Sequence, residues 1–200
     1  MADRAMYRMF PAAALLAALP LAGCGASKRE EPPLAGARIG GPFALTDQNG
    51  KTVRDTDFAG RYRIVYFGYT YCPDVCPTDM AKIGQAMTLL DKQAPRVADK
   101  VVPIFITVDP ERDTPAVIKQ FVANFHPRIV GLTGSPQAIA AVAKSYAVYF
   151  KKQPPGPGGG YMVDHLAVAF LMEPDGAPIA SLPIDKDGAA IAEQVQHWVR

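Results

Sequence analysis

Cysteine, histidine and tryptophan are scarce in this chain of 200 residues, which contains three cysteines, three histidines and one tryptophan. The cysteines are too few to hold an iron–sulfur cluster. The chain also has no internal repeat and no strong excess of charge, since its net charge is +2, and this gives no electrostatic reason to expect a nucleic-acid partner. With 49% apolar and 20% charged residues, the composition indicates one globular domain and a short additional segment.

A long apolar run is missing as well. The stretch from Met9 to Ala22 is too short for a transmembrane helix of a mature protein, and two arginines precede it, as in a secretory signal. The following Leu21-Ala22-Gly23-Cys24 resembles the lipobox of bacterial lipoproteins. We therefore expect residues 1–23 to be a lipoprotein signal peptide and Cys24 to carry a lipid. The alternative is a cleaved signal that is followed by an incidental cysteine.

The next segment separates this signal from the domain. Residues 24–41 show no apolar period and are expected to form a lipid-anchored tether, so that the domain covers residues 42–200. Near the start of the domain, Asn49-Gly50 favours a tight turn between two short strands. Export would place the domain in an oxidising compartment, where a cysteine pair is either oxidised or kept reduced by a partner.

Apolar runs and helix caps then follow in a regular order. Strands are predicted where the runs are continuous, and helices where Thr, Ser or Asp precedes apolar residues at helical spacing. The predicted order is strand 64–67, a helix from Pro77, strand 101–108, a helix after Thr114, strand 129–132, a helix after Ser135, a strand at 148–151, the loop 153–160, hairpin strands 168–172 and 179–182, and a helix after Asp187. This order predicts an α/β protein of the thioredoxin-like fold with an added N-terminal β-hairpin and an extra strand–helix pair.

Cys72 and Cys76 lie at the turn between the first core strand and its helix. They are four positions apart, so a single helical turn brings both sulfurs to the same side. A helix N-terminus stabilises a thiolate, which favours either metal binding or disulfide exchange. Three residues separate Cys72 from Cys76, whereas two residues separate the cysteines of the thioredoxin motif. The spacing therefore differs from that of ordinary thioredoxin chemistry.

His165 is the histidine whose setting suits a third ligand, because it follows the loop that should face the cysteine turn. His126 and His197 have weaker claims, since one lies at a helix end beside a proline and the other lies near the C-terminus. Two thiolates and one imidazole suit Cu(I), which is soft and tolerates low coordination numbers. A zinc ion with water as its fourth ligand stays open as an alternative.

Three sequence blocks carry a resemblance to a known family. They are FGYTYCPDVCPTDM (residues 67–80), VDPERDTP (residues 108–115) and VDHLAVAFLMEPDG (residues 163–176). In this combination and order, the chain resembles the Sco/SenC family of copper-binding cytochrome c oxidase assembly proteins. The resemblance implies a thioredoxin-like fold, one copper ion, and Cys72, Cys76 and His165 as its ligands. The chain departs from the family pattern at Leu166-Ala167, because members of the family often have small hydroxyl residues directly after the histidine.

Three acidic residues are candidates for supporting the ligands or for contacting a partner. They are Asp74, Asp109 and Asp164. Asp74 stands between the cysteines and is equally suited to cap the helix that follows. Asp109 begins a charged loop, residues 109–113, for which loop and helix capping is the plainer interpretation.

Two functions follow from this reading. The first is a copper chaperone that assists assembly of the dinuclear copper centre in cytochrome c oxidase subunit II. The second is a thiol–disulfide oxidoreductase that keeps the cysteines of that centre, or of another exported protein, reduced. A thiol peroxidase is disfavoured because the Pro-x3-Thr-x2-Cys pattern is absent around Cys72. The expected location is the periplasmic face of the inner membrane, and the expected further partners are a copper donor and a thiol reductant.

Overall fold

The computed structural model of the chain describes residues 30–156 and 158–200. The expected signal peptide and Cys24 lie outside these residues. Residues 31–200 form a compact unit. Within the described part of the chain, no helix is both long enough and apolar enough to cross a membrane.

The described residues contain nine strands, five α-helices and one 3-10 helix. The elements in chain order are β1 (Ala44–Asp47), β2 (Thr52–Arg54), the 3-10 helix (Asp55–Phe58), β3 (Tyr62–Gly68), α1 (Val75–Gln93), α2 (Pro95–Ala98), β4 (Val101–Thr107), α3 (Pro115–Ala123), β5 (Val130–Thr133), α4 (Pro136–Ser145), β6 (Phe150–Lys152), β7 (Val163–His165), β8 (Ala169–Met172), β9 (Pro178–Leu182) and α5 (Gly188–Trp198).

A seven-stranded sheet in the order β2-β1-β5-β4-β3-β8-β9 forms the centre of the domain. Strands β3 and β4 are parallel and every residue of both is buried, as expected for strands covered on both faces. Their register pairs Gly68 with Thr107, so both strands end at the same edge of the sheet. This edge therefore brings the cysteine turn after β3 beside the charged loop after β4.

The predicted thioredoxin-like order is confirmed by these elements. Strands β3 and β4 with α1 and α3 are followed by the antiparallel hairpin β8–β9 and by α5, which packs against α1. The predicted N-terminal hairpin is present and adds to the sheet by pairing β1 with β5 in antiparallel orientation. Strand β5 with α4 is the extra strand–helix pair. The predicted caps are also confirmed, because Thr114, Ser135 and Asp187 each accept a hydrogen bond from a backbone N–H in the first turn of α3, α4 and α5.

One predicted boundary was wrong, and one strand near the candidate site was not predicted. Helix α1 begins at Val75 and not at Pro77, so Cys76 lies inside its first turn. Proline fits there because the first N–H groups of a helix need no partner within the helix. His165 ends β7, a strand that was not predicted and that pairs with β6 in a separate two-stranded ribbon. The 3-10 helix and α2 were not predicted.

Part of the segment that was expected to be a tether lies against the domain. Leu34 and Ile39 pack on the core, and the Leu34 N–H donates to the carbonyl of Ile179 at 2.9 Å. The Gly40 N–H donates to the carbonyl of Ser145 at 2.9 Å. Residues 31–41 thus add contacts to both β9 and the end of α4.

Gly131 lies where β5 meets α3, and this contact leaves no room for a side chain. A Cβ atom at this position would lie 2.1 Å from Cγ2 of Ile118 and 3.2 Å from Cγ1 of Val122. We expect Gly131→Ala to lower the free energy of unfolding by about 2 kcal/mol, because overpacking a core displaces its neighbours. Urea denaturation measures this, with Gly158→Ala as the matched control, since a Cβ at Gly158 meets no atom within 4 Å. Equal losses in the two variants would contradict the close contact.

Candidate metal centre

Cys76 lies in the first turn of α1, and its side chain is fully buried. Its sulfur rests against the end of β3, where Gly68 leaves space for it. A Cβ atom on Gly68 would lie 3.1 Å from Cys76 Sγ and 2.8 Å from Cε1 of Tyr66. Glycine at the end of this strand therefore lets the buried sulfur sit directly over the backbone.

His165 reaches Cys76 from the β6–β7 ribbon. The distance from His165 Nε2 to Cys76 Sγ is 3.2 Å. The other ring nitrogen, Nδ1, lies 3.2 Å from the carbonyl oxygen of Leu166. Because a carbonyl only accepts, Nδ1 carries the hydrogen in the neutral ring and Nε2 turns its lone pair toward the sulfur. This is the tautomer that a metal ligand bound through Nε2 requires.

Cys72 stands at the exposed side of the pair and is half-buried. Its Sγ accepts a hydrogen bond from the Cys76 backbone N–H at 3.4 Å. Partial burial raises the pKa of the Cys72 thiol, but hydrogen bonds from the Cys76 and Asp74 amides and from the Cys76 side chain outweigh it, so the pKa lies below its ordinary value. Cys72 is thus the sulfur that more readily becomes a thiolate.

Burial keeps the side chains of Cys76 and His165 neutral. Burial raises the pKa of the Cys76 thiol far above its ordinary value, so this sulfur keeps its proton. Burial lowers the pKa of His165, because the charged imidazolium is disfavoured away from water. A neutral imidazole is the form that binds a metal ion, whereas Cys76 has to lose its proton for the same purpose.

Aromatic rings and a buried carboxylate surround the histidine. The rings of Tyr69 and Tyr66 meet it edge-on, with centroid distances of 5.9 and 6.5 Å. The Tyr66 hydroxyl donates to Asp79 Oδ2 at 3.0 Å, and Asp79 is only 5% exposed. Burial raises the pKa of Asp79, although the bond from Tyr66 and the Lys82 ammonium at 3.8 Å both lower it. Asp79 could not be identified in advance, because nothing in the local sequence pattern distinguishes it from a solvated helix residue.

The charged loop at residues 109–113 turns two of its carboxylates inward. Asp113 is fully buried and accepts hydrogen bonds from the Thr70 N–H at 3.0 Å, from the Thr70 hydroxyl at 2.6 Å and from the Thr107 hydroxyl at 2.6 Å. Asp109 is 3% exposed and accepts from Arg112 Nε at 2.5 Å and from the Tyr161 hydroxyl at 2.7 Å. The loop is therefore bonded to the cysteine turn and to the segment that leads into β7.

The two remaining acidic candidates lie on the surface. Asp74 is exposed at the N-cap position of α1, where its side chain makes no capping bond and its carbonyl accepts from the Thr78 N–H at 3.4 Å. Asp164 is exposed on β7 and accepts from the side-chain amide of Gln153. The structure thus brings Cys72, Cys76 and His165 into one neighbourhood and leaves both carboxylates at its rim.

The three candidate ligands do not yet enclose an ion. Across residues 30–156 and 158–200, no group of three Cys, His, Asp or Glu side chains is close enough as it stands to hold a metal. Cys76 and His165 already face each other, whereas the Cys72 sulfur is turned to the first N–H groups of α1.

Comparison with known proteins decides the family. A sequence model of the family described as SCO1/SenC matches residues 31–200. This chain belongs to the SCO1/SenC family. It is 44% identical over 147 residues to Protein SCO1 homolog 1, mitochondrial, of Arabidopsis thaliana, in an alignment that covers 74% of this chain and 43% of that protein. The SCO1/SenC chain spans about half the length of several such curated relatives.

Solved structures agree with this assignment. Bradyrhizobium japonicum ScoI with copper bound is 44% identical and superposes with a TM-score of 0.73, covering 80% of this SCO1/SenC chain and 99% of that chain. BsSco, a cytochrome c oxidase assembly protein of the Sco family in which a disulfide switch was identified, is 25% identical with a TM-score of 0.63, covering 84% and 95%. A thioredoxin domain from Bacteroides vulgatus, 15% identical with a TM-score of 0.55 over 81% and 96%, shares the fold.

Proposed function

We propose that this chain binds one copper ion through Cys72, Cys76 and His165 and delivers it to the dinuclear copper centre of cytochrome c oxidase subunit II during assembly. The observation that carries the proposal is the 3.2 Å approach of Cys76 Sγ and His165 Nε2, which are 89 positions apart in sequence. Membership of a family in which a solved relative at 44% identity holds copper supports the same ion.

The chemistry of the donors fits a soft ion. Two sulfurs and one imidazole suit Cu(I), and the neutral His165 ring needs no deprotonation before it binds. Cys72 has a lowered pKa and supplies a thiolate at small cost, while Cys76 gives up its proton as copper arrives. Binding should therefore release protons to the solvent.

The surface around the donors suits the approach of another protein. Five large apolar side chains are exposed among the described residues, and all five lie on the cysteine turn or beside the ribbon that carries His165. They are Tyr71, Val75, Tyr149, Met162 and Leu166. Exposed apolar groups gathered in one region favour a transient protein interface. An acceptor protein that docks there would meet the half-buried Cys72 first.

The proposal includes a location. Residues 1–23 would direct export, Cys24 would carry the lipid, and the segment that follows it would connect the lipid to the domain at the periplasmic face of the inner membrane. The basic start, the apolar run and the Leu-Ala-Gly-Cys sequence support this part. A copper donor and a thiol reductant in the same compartment would load and maintain the site.

Anaerobic titration of the purified protein with Cu(I) tests the proposal. We expect a saturation point at one copper per chain, together with protection of Cys72 and Cys76 from thiol reagents. The competing metal is zinc, so the same titration is repeated with Zn(II). No saturable binding of copper, or a zinc affinity above that for Cu(I), would contradict the copper role.

A thiol–disulfide oxidoreductase is the second candidate, and the asymmetry of the cysteines favours it. The half-buried Cys72 thiolate would attack a target disulfide, and Cys76 would then displace the reduced target while the two cysteines form their own disulfide. The target gains two electrons and the cysteine pair loses two. The variant His165→Ala separates the two roles. If it loses copper binding but keeps the disulfide-reducing activity, the cysteine pair alone carries the redox role and His165 serves only copper.

A further inference from the structure

The charged loop at residues 109–113 connects the two parts of the candidate metal centre. On one side, the buried Asp113 accepts three hydrogen bonds from Thr70 and Thr107, which fix the loop to the start of the cysteine turn and to the end of β4. On the other side, the loop contacts the hairpin that carries His165. The loop therefore links the segment of the cysteines to the segment of the histidine.

The contact with the histidine hairpin is a closed group of three side chains, Arg112, Asp109 and Tyr161, which we call the Arg112 clamp. Arg112 Cζ lies 3.7 Å from the centroid of the Tyr161 ring, and Arg112 Nε bonds Asp109 Oδ2 at 2.5 Å. The Tyr161 hydroxyl closes the group by donating to Asp109 Oδ1 at 2.7 Å. Each member thus contacts the other two, and the carboxylate is shielded from water.

The clamp is the most buried polar attachment between the ribbon and the charged loop. Lys152 pairs with Glu111, but both side chains are about half exposed, and such pairs contribute little. A pocket of about 90 Å³ is lined by Phe150 and Val163 of the ribbon and by Pro110 of the loop. Val163 and Phe150 pack the ribbon on the core, and on the loop side a stacked guanidinium and two bonds to a buried carboxylate hold it as well.

The clamp also contacts the cysteine turn. Arg112 Cζ lies 4.8 Å from the ring centroid of Tyr71, the residue before Cys72, and 5.8 Å from that of Tyr69, whose ring meets His165 edge-on. One guanidinium is thus stacked among side chains from the cysteine turn and from the histidine hairpin. Lysine carries the same charge but lacks the planar group that makes these contacts.

We propose that Arg112 is a positioning residue that holds the β6–β7 ribbon, and with it His165, at its distance from Cys76. This inference rests on the proposed copper function, because the distance matters for an ion that both residues bind. Arg112 itself supplies no ligand. Release of the clamp would let the ribbon move away from the cysteines and would make copper easier to lose.

Two conservative variants test the role with copper bound. Arg112→Lys removes the stacked plane, and Tyr161→Phe removes only the bond to Asp109. We expect each to release Cu(I) to a chelator about tenfold faster than the parent and to shift the thiolate-to-copper absorption of the Cu(II) form. The matched controls are Arg96→Lys, at an exposed arginine of α2, and Tyr149→Phe, at an exposed tyrosine beside the ribbon. Both controls should keep the release rate and the spectrum of the parent.

A copper-free measurement separates this inference from the proposed function. In the metal-free variants, we expect amide hydrogens of the hairpin, such as the Gln153 N–H bonded to the Met162 carbonyl, to exchange about tenfold faster while those of β3 and β4 keep their rates. Faster exchange in the variants, together with a parent that binds no copper, would support the clamp and contradict the copper role. Release, spectra and exchange at the values of the parent would overturn the clamp. Exchange that rises equally in β3 and β4 would overturn it too, because it would show general destabilisation.

Discussion

His165→Ala is expected to weaken copper binding by at least about 100-fold, since even residues that only support a metal ligand change affinity by about 10- to 100-fold. No other histidine of the described chain is placed to replace it. The His126 ring is 3.0 Å from the Asp91 carboxylate, and the His197 ring packs on Trp198 at 4.6 Å between centroids. Two thiolates alone would be left to hold the ion.

Competition with a Cu(I) chelator under anaerobic conditions measures this loss. His197→Ala is the matched control, because it removes an exposed histidine from α5 by the same substitution. The control should bind copper as the parent does. An affinity of His165→Ala within about threefold of the parent would show that the imidazole is not a ligand, and the proposed trio would be wrong.

The two cysteines are expected to differ in alkylation rate at neutral pH by at least about 100-fold, with Cys72 the faster. Thiolate is the reactive form, and the pKa of Cys72 lies below its ordinary value whereas burial raises that of Cys76 far above it. Access acts in the same direction, because Cys76 is 0% exposed and Cys72 is half-buried.

Mass spectrometry of iodoacetamide-treated, metal-free protein measures both rates. The rate at Cys72 should rise with pH to a midpoint below the pKa of an ordinary free thiol. Cys76→Ser should leave Cys72 fast, and Cys72→Ser should leave Cys76 slow. Equal rates in the native protein would contradict both the burial of Cys76 and the order of attack that the oxidoreductase role requires.

The parts of the fold that could be predicted are those that local chemistry decides. The continuous apolar runs of β3 and β4 indicated buried parallel strands, and Thr114, Ser135 and Asp187 each marked a helix start by capping chemistry that acts within three residues. The start of α1 was misplaced because Pro77 is equally acceptable at any position of a first turn.

The surroundings of the candidate site could be predicted only in part. The spacing of Cys72 and Cys76 is local, whereas His165 was singled out by its place before the final hairpin. The pairing of Phe150 with His165 could not be predicted from the sequence. The register of a strand depends on the strand it pairs with, and the local sequence of one segment does not determine it. Asp79 and Tyr161 were missed because tertiary packing alone determines their neighbours.

The wide separation of Cys76 and His165 along the chain also governs when the centre can exist. A chain that emerges N-terminus first presents both sulfurs long before the imidazole, and the ribbon that carries it follows β3, β4 and β5 in sequence. A chain that is only partly synthesised therefore presents both thiols but lacks the His165 imidazole, so the proposed site is incomplete. An ion that binds the finished trio favours the native state by mass action, by about 2.7 kcal/mol at a hundredfold excess over Kd. Copper bound to the proposed trio would thus stabilise the folded domain as a whole.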